Sequence, residues 1–239
     1  MNSNRTPSVS PSSGSPWSQS DYAPAGRLVP VLSASPGADA VGTALRLGRL
    51  AASKGDTVLI LDGRKGELMR RAGVICARTL ADANAGRCEL RDCTYVTANE
   101  QFSIAALGAL PLSDAIGTFA ALSLFHDWVF AVPPEGLTQA AARLAAGSDT
   151  TVLAYETGSD RFMAAYWMID AVRARNPRFD PHTVSFGDAR DAVSTALQLE
   201  ATVREHLGAA PRYAGHESDR DRMASLLEAM RKSCARRAA

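Results

Sequence analysis

Between Val29 and Asp62 the chain carries the residue order of a unit that could hold a phosphate. An apolar run, Val29 to Leu32, leads into a small loop with Gly37 and Gly42. A helix-patterned stretch follows, and a second apolar run, Val58 to Leu61, closes on Asp62. In a working site of this kind, backbone N–H groups cradle the phosphates, a Lys reaches the terminal ones, and a Ser or Thr hydroxyl holds Mg²⁺. Ser33 to Arg46 contains no Lys. What remains is a vestigial set: Gly37 and Gly42 for the bend, Thr43 for a hydroxyl, and Asp62 to orient a water or metal. Asp62 reads equally well as a carboxylate capping a turn at a strand end, and Asp39 reads as a helix or turn cap. The unit is a nucleotide-binding scaffold without its chemistry.

No other constellation competes. Cys76, Cys88, Cys93 and Cys234 are scattered, with no His near them at metal-ligand spacing. They read as reduced structural thiols, Cys88 and Cys93 included, and no metal site is expected. No catalytic role falls to any of the four histidines, and Asp127 reads as a turn residue. From Asp219 onward, Met223, Leu226, Leu227, Met230 and Cys234 recur at helical spacing on one face. Arg220, Arg222, Arg231, Lys232, Arg236 and Arg237 make the remainder basic. Such a helix suits an anionic membrane or a partner surface, and it equally suits a last helix packed on a sheet with its charges solvated.

The elements that must position these residues follow from periodicity. Strands are predicted over 28–34, 57–62, 92–96, 127–132, 150–155 and 182–186. Helices are predicted over 40–53, 66–85, 112–124, 135–146, 159–175 and 188–207. Several strand runs are almost wholly apolar (VLILD, WVFAV, TVLAY), as strands covered on both faces are. Alternation of this kind predicts an α/β fold with a mostly parallel sheet flanked by helices. Residues 1–26, with eight serines and four prolines, read as a disordered tail offering Trp17 and Tyr22 as partner anchors. Residues 27–215 form the α/β domain, and 216–239 the basic amphipathic helix. A net charge of +1 argues against a nucleic-acid partner. The start of the chain has no signal-peptide core, and the run from Ile104 to Leu112 is too short to span a bilayer.

With these elements placed, residues 28–215 resemble the MinD/ParA group of P-loop ATPases, and within it the FlhG (FleN, YlxH) flagellar-number regulators. The family loop G-K-G-G-x-G-K-T-T falls on Gly37 to Ala44, which puts Ala38 and Thr43 at the two lysines and Ala44 at the magnesium-holding hydroxyl. The Walker B pattern Y-D-x-V-I-V-D-x-P-P-G matches His126 to Gly136, with Val132 at the carboxylate. Ala165 to Asp170 resembles the A-Y-x-x-I-K segment of the FlhG branch. The family's adenine-reading Asn would lie after strand 182–186, where Gly187 stands, and no Asn follows Asn176. Without the lysines little balances a triphosphate's charge, and without the carboxylate and hydroxyl Mg²⁺ lacks anchors.

The resemblance therefore implies a P-loop NTPase-like fold without a productive ATPase cycle. It implies a regulatory protein of bacterial flagellar assembly or placement, with no cofactor beyond weak ATP or ADP. The expected partner is a protein, such as a flagellar GTPase or regulator, with an anionic membrane surface as a second. Flagellar relatives carry an acidic-Gln-Ala motif followed by Leu-Arg that stimulates their GTPase. Here Asp21-Tyr22-Ala23 and Arg27-Leu28 depart from it, with Tyr22 in place of the Gln and the Leu-Arg order reversed, so the resemblance does not carry the GTPase-stimulating role over. The chain would be cytoplasmic or peripheral at the inner membrane, and a monomer or a nucleotide-independent dimer. The alternatives are a slow ATPase in which Thr43 and Asp62 replace lost groups, and a pilus or cellulose-export accessory protein of the same superfamily.

Overall fold

The computed structural model describes residues 26–97, 101–158 and 160–237, with side chains as far as Lys232. The tail anchors Trp17 and Tyr22, and the Asp21-Tyr22-Ala23 motif, lie outside the described residues. Among the described residues the chain builds eight strands, most of them from apolar runs: β1 (Arg27–Ser33), β2 (Val58–Asp62), β3 (Tyr95–Val96), β4 (Ser103–Ala106), β5 (Trp128–Val132), β6 (Val152–Glu156), β7 (His182–Phe186) and β8 (Arg212–His216). They form one sheet in the order β3-β4-β2-β5-β1-β6-β7-β8. Every pairing is parallel except β3 with β4. β1 thus lies inside the sheet, between β5 and β6.

The period-2 alternation along each strand supplies both faces with apolar side chains. Val29 and Val31 of β1, Val58 and Ile60 of β2, and Trp128 and Phe130 of β5 face one layer of helices. That layer is α1 (Ala40–Ala52), α2 (Glu67–Arg71) and α8 (Arg220–Arg237). Leu59, Leu61, Val129 and Leu153, from the opposite sides of those strands and β6, face the other layer. There α3 (Leu80–Asn84), α4 (Leu112–Ser123), α5 (Gln139–Ala146), α6 (Phe162–Arg173) and α7 (Ala192–Leu207) cover the sheet. The expected α/β architecture is what the chain adopts.

Some elements differ from the sequence reading. The single helix expected over 66–85 is two short ones, α2 and α3. Gly73, at φ 67°, takes the left-handed conformation that ends a helix after Arg71, and Thr79 opens α3 through a capping box with Asp82. β4 and β8 were not anticipated. β4 hides inside an apolar run without period-2 contrast, and β8 reads RYAGH, with a single fully buried position. β8 also reaches His216, so the boundary drawn at 215/216 cuts a strand, and α8 packs on the same core as α1.

The apolar face of α8 is where the second reading of that helix put it. Met223, Leu226, Leu227 and Met230 are all buried against α1 and the sheet. Arg231 is ion-paired with Asp56, its guanidinium 5.8 Å from the centre of the buried Trp128 ring, while Lys54 pairs with Glu228. Lys232 is exposed. In this conformation the face expected to meet lipid or a partner is consumed by the protein itself. Among the described residues no helix is long and apolar enough to cross a membrane.

Candidate functional site

The phosphate-type loop lies at the end of β1, where Ser33 starts the bend. Its hydroxyl is shared between the carbonyls of Ser35 and Ala38, at 2.6 and 2.8 Å. Asp39 then caps α1: its Oδ1 accepts from the Gly42 amide at 2.8 Å. An anion at this point satisfies an otherwise unpaired N–H and meets the positive end of the helix. The protein places its own carboxylate there.

Several other donors of the loop and of the first turn of α1 are also engaged, while the buried Ser35 hydroxyl has no partner among the described residues. The Gly37 amide donates to Glu156 at 3.3 Å, the Ala38 amide to Ser35 at 3.0 Å and the Ala40 amide to Ala38 at 3.0 Å. Thr43 is buried, and both its amide (3.0 Å) and its hydroxyl (2.8 Å) donate to the carbonyl of Asp39. A Cβ at Gly37 would lie 2.3 Å from a Glu156 carboxylate oxygen, and one at Gly42 would lie 2.2 Å from an Asp39 oxygen. Both glycines are therefore needed for close approach of a side-chain carboxylate to the loop. The loop is already occupied by its own acids.

Beside the loop is a cavity of about 220 Å³ lined by Gly37, Asp39, Arg64, Glu67, Arg71 and Glu135, among others. Arg71 donates to Asp39 and to Glu67, each at 2.6 Å. Arg64 is bound to the Pro133 carbonyl at 2.9 Å and ion-paired with Glu135. Two guanidinium groups thus meet three carboxylates, and Glu156, paired with Arg161, stands against the loop as well. A triphosphate entering here would meet carboxylates with no unspent cation among the named groups. The volume also falls below the roughly 300–1,000 Å³ of ordinary ligand pockets.

Asp62 is buried at the end of β2, opposite Val132 of β5. Its Oδ1 accepts from the Arg64 amide at 2.7 Å and its Oδ2 from the Met69 amide at 3.2 Å. Those bonds hold the turn into α2, as the capping alternative supposes. Val132 is itself buried and apolar, so the Walker B-like position offers no metal ligand. Asp127 accepts from the Thr57 amide and hydroxyl at 2.8 and 2.7 Å; those bonds, the amide's first, hold its carboxyl below the usual range. It is the turn residue that the sequence indicates. Among the described residues no group of three or more His, Cys, Asp or Glu could hold a metal ion.

The structure thus places Gly37 in the loop after β1, Gly42 and Thr43 in the first turn of α1, and Asp62 at the end of β2, which β5 separates from β1. It carries the α8 residues Met223, Leu226, Leu227 and Met230 into the core. Sequence reasoning did not find Arg64, Glu67, Arg71, Glu135 and Glu156. None has a spacing that marks it, because each reaches the loop from another element; Glu156 is 119 residues away.

No protein-family model matches the chain, and no curated protein matches it in sequence. Solved structures do match in fold. Cobyrinic acid a,c-diamide synthase from Mycobacterium smegmatis, with bound ADP and magnesium, aligns at TM-score 0.66 and 14% identity over 86% of this chain and 94% of its own. A plasmid partition protein from Borrelia burgdorferi aligns at 0.65 and 13% over 87% and 98%. The MinC:MinD cell division complex of Aquifex aeolicus aligns at 0.63 and 11% over 88% and 94%. The fold is that of MinD/ParA-type P-loop ATPases.

Proposed function

We propose that this chain, built on the fold of MinD/ParA-type ATPases, is a noncatalytic regulatory protein that acts by binding a protein partner. One observation carries the reading: the Asp39 carboxylate caps α1 at the point where a phosphate would bind, and Arg71 holds it there. Catalysis of phosphoryl transfer depends on cations and Mg²⁺ neutralising developing charge. Here the nearby guanidinium groups of Arg64 and Arg71 are neutralised by Glu135, Asp39 and Glu67. An intact packing framework around such a loop is what a protein retained for binding would keep.

The finer assignment, to bacterial flagellar assembly or placement in the manner of FlhG, rests on the motif likeness at Gly37–Ala44, His126–Gly136 and Ala165–Asp170. The expected partner is a flagellar GTPase or regulator. One fold neighbour was solved together with its protein partner, MinC, so the scaffold is compatible with that mode of action. Nucleotide would play no part in assembly, leaving a monomer or a dimer of constant mass.

Calorimetric titration with ATP and ADP, with and without Mg²⁺, tests the proposal, with light scattering on the same samples. The expected result is no binding heat at millimolar nucleotide and an unchanged mass. Saturable Mg²⁺-dependent binding, or a dimer that forms only with ATP, would overturn it in favour of a slow ATPase.

A further inference from the structure

The loop between α3 and β3 brings together two thiols that the phosphate-type site does not involve. Cys88 follows α3, and Cys93 ends a short 3-10 turn, Leu90–Cys93. Their sulfurs are 3.4 Å apart. Cys93 is fully buried, and its thiol donates to the Thr79 carbonyl at 3.0 Å. Cys88 is only half-buried, so a reagent from solvent can reach it. The turn that separates them is held by its own capping box, in which the Glu89 amide donates to Asp92 at 3.0 Å.

We propose that Cys88 and Cys93 are a dithiol that closes to an intramolecular disulfide when a small-molecule disulfide such as oxidised glutathione is present. The sulfurs need to approach by little more than an ångström, from 3.4 Å to the roughly 2.05 Å of an S–S bond. The Cys88 thiolate attacks the reagent, forming a mixed disulfide and expelling one glutathione thiolate. Cys93 then gives up its proton, its sulfur attacks that of Cys88, and the second glutathione leaves. The protein loses two electrons and two protons, and the reagent is reduced to two thiols. Burial and the neighbouring Cys88 push the Cys93 thiol up to about 12, which makes it the resolving partner and leaves the first attack to Cys88. Closure would tie the turn to the end of α3, next to the antiparallel edge strand β3.

Arg91 lies between the two cysteines, so trypsin separates them and a bridge appears as two linked peptides. The folded full-length chain would be incubated with oxidised glutathione, then digested without reductant and analysed by mass spectrometry. The expected result is a Cys88–Cys93 linked pair, the loss of two titratable thiols, and reversal by dithiothreitol. In Cys93→Ser, glutathione-bound Cys88 should accumulate, while Cys76→Ser should leave the bridge intact. Retention of every free thiol in the wild type, or Cys88 remaining glutathione-bound there as the end state, would overturn the proposal.

Discussion

At the residue scale, Asp39 is where the proposed reading is most directly tested, because its carboxylate caps α1 at the end of the helix that attracts anions. Asp39→Asn keeps a good N-cap and removes that charge. Its stability cost should stay within about 1 kcal/mol, since the Arg71 pair is partly exposed. Arg71 would then be left with Glu67 alone, and inorganic phosphate should begin to bind at millimolar concentration. Calorimetry on the variant and the wild type checks this; equal behaviour of the two would mean that the Asp39 charge does not govern the site. His182 is a second residue with a readable consequence. Burial in β7, and then the nearby Arg212, push its imidazole down from 6.5 to about 4, so the folded protein keeps it neutral. Between those values the unfolded chain binds the extra proton, so stability is complete above pH 6.5 and falls as the medium is acidified. By pH 5 the loss should reach about 2 kcal/mol. Urea midpoints at pH 7 and pH 5 should differ less for His182→Gln than for the wild type, and equal differences would count against it.

At the element scale, α8 has a sequence that suits a membrane surface and a position that belongs to the core. Leu227 is fully buried, and Arg231 reaches across to Asp56 beside Trp128. Burying a Leu or Met side chain stabilises by about 1.5–3 kcal/mol, so the four apolar residues of α8 are a large share of the stability of a domain this size. Leu227→Asp should therefore destabilise the protein by about 3–5 kcal/mol in denaturant titration with no lipid present. A variant as stable as the wild type would show instead that the helix is not fastened to the sheet. The division of the 66–85 segment into α2 and α3 is the same lesson on a smaller length. Apolar periodicity suggested one helix, but Gly73 and the Thr79 capping box end one and begin another.

At the scale of the whole molecule, the strand order β2-β5-β1-β6 makes the site what it is. It sets Glu156 of β6 beside the loop that follows β1, and it aligns Asp62 with Val132 across β2 and β5. The same parallel arrangement sends α1 and α8 to one face and α3 to α7 to the other. Much of this architecture was legible in the residues. VLILD and WVFAV announce strands buried on both sides, Asp39 announces the helix cap it provides, and the stretch from Ser33 to Arg46 shows a loop without Lys. These signals are local: period 2, period 3.6 and caps act over a few neighbouring residues. What closes the loop was not legible, and neither was the approach of Cys88 to Cys93, which depends on how the Leu90–Cys93 turn packs beneath α3. By itself the sequence determined a doubly covered parallel sheet and a phosphate-type loop without its lysines. Only the tertiary structure decided that Asp39, Arg71 and Glu156 seal that loop and that α8 is part of the core, because those contacts join residues 32 to 175 positions apart.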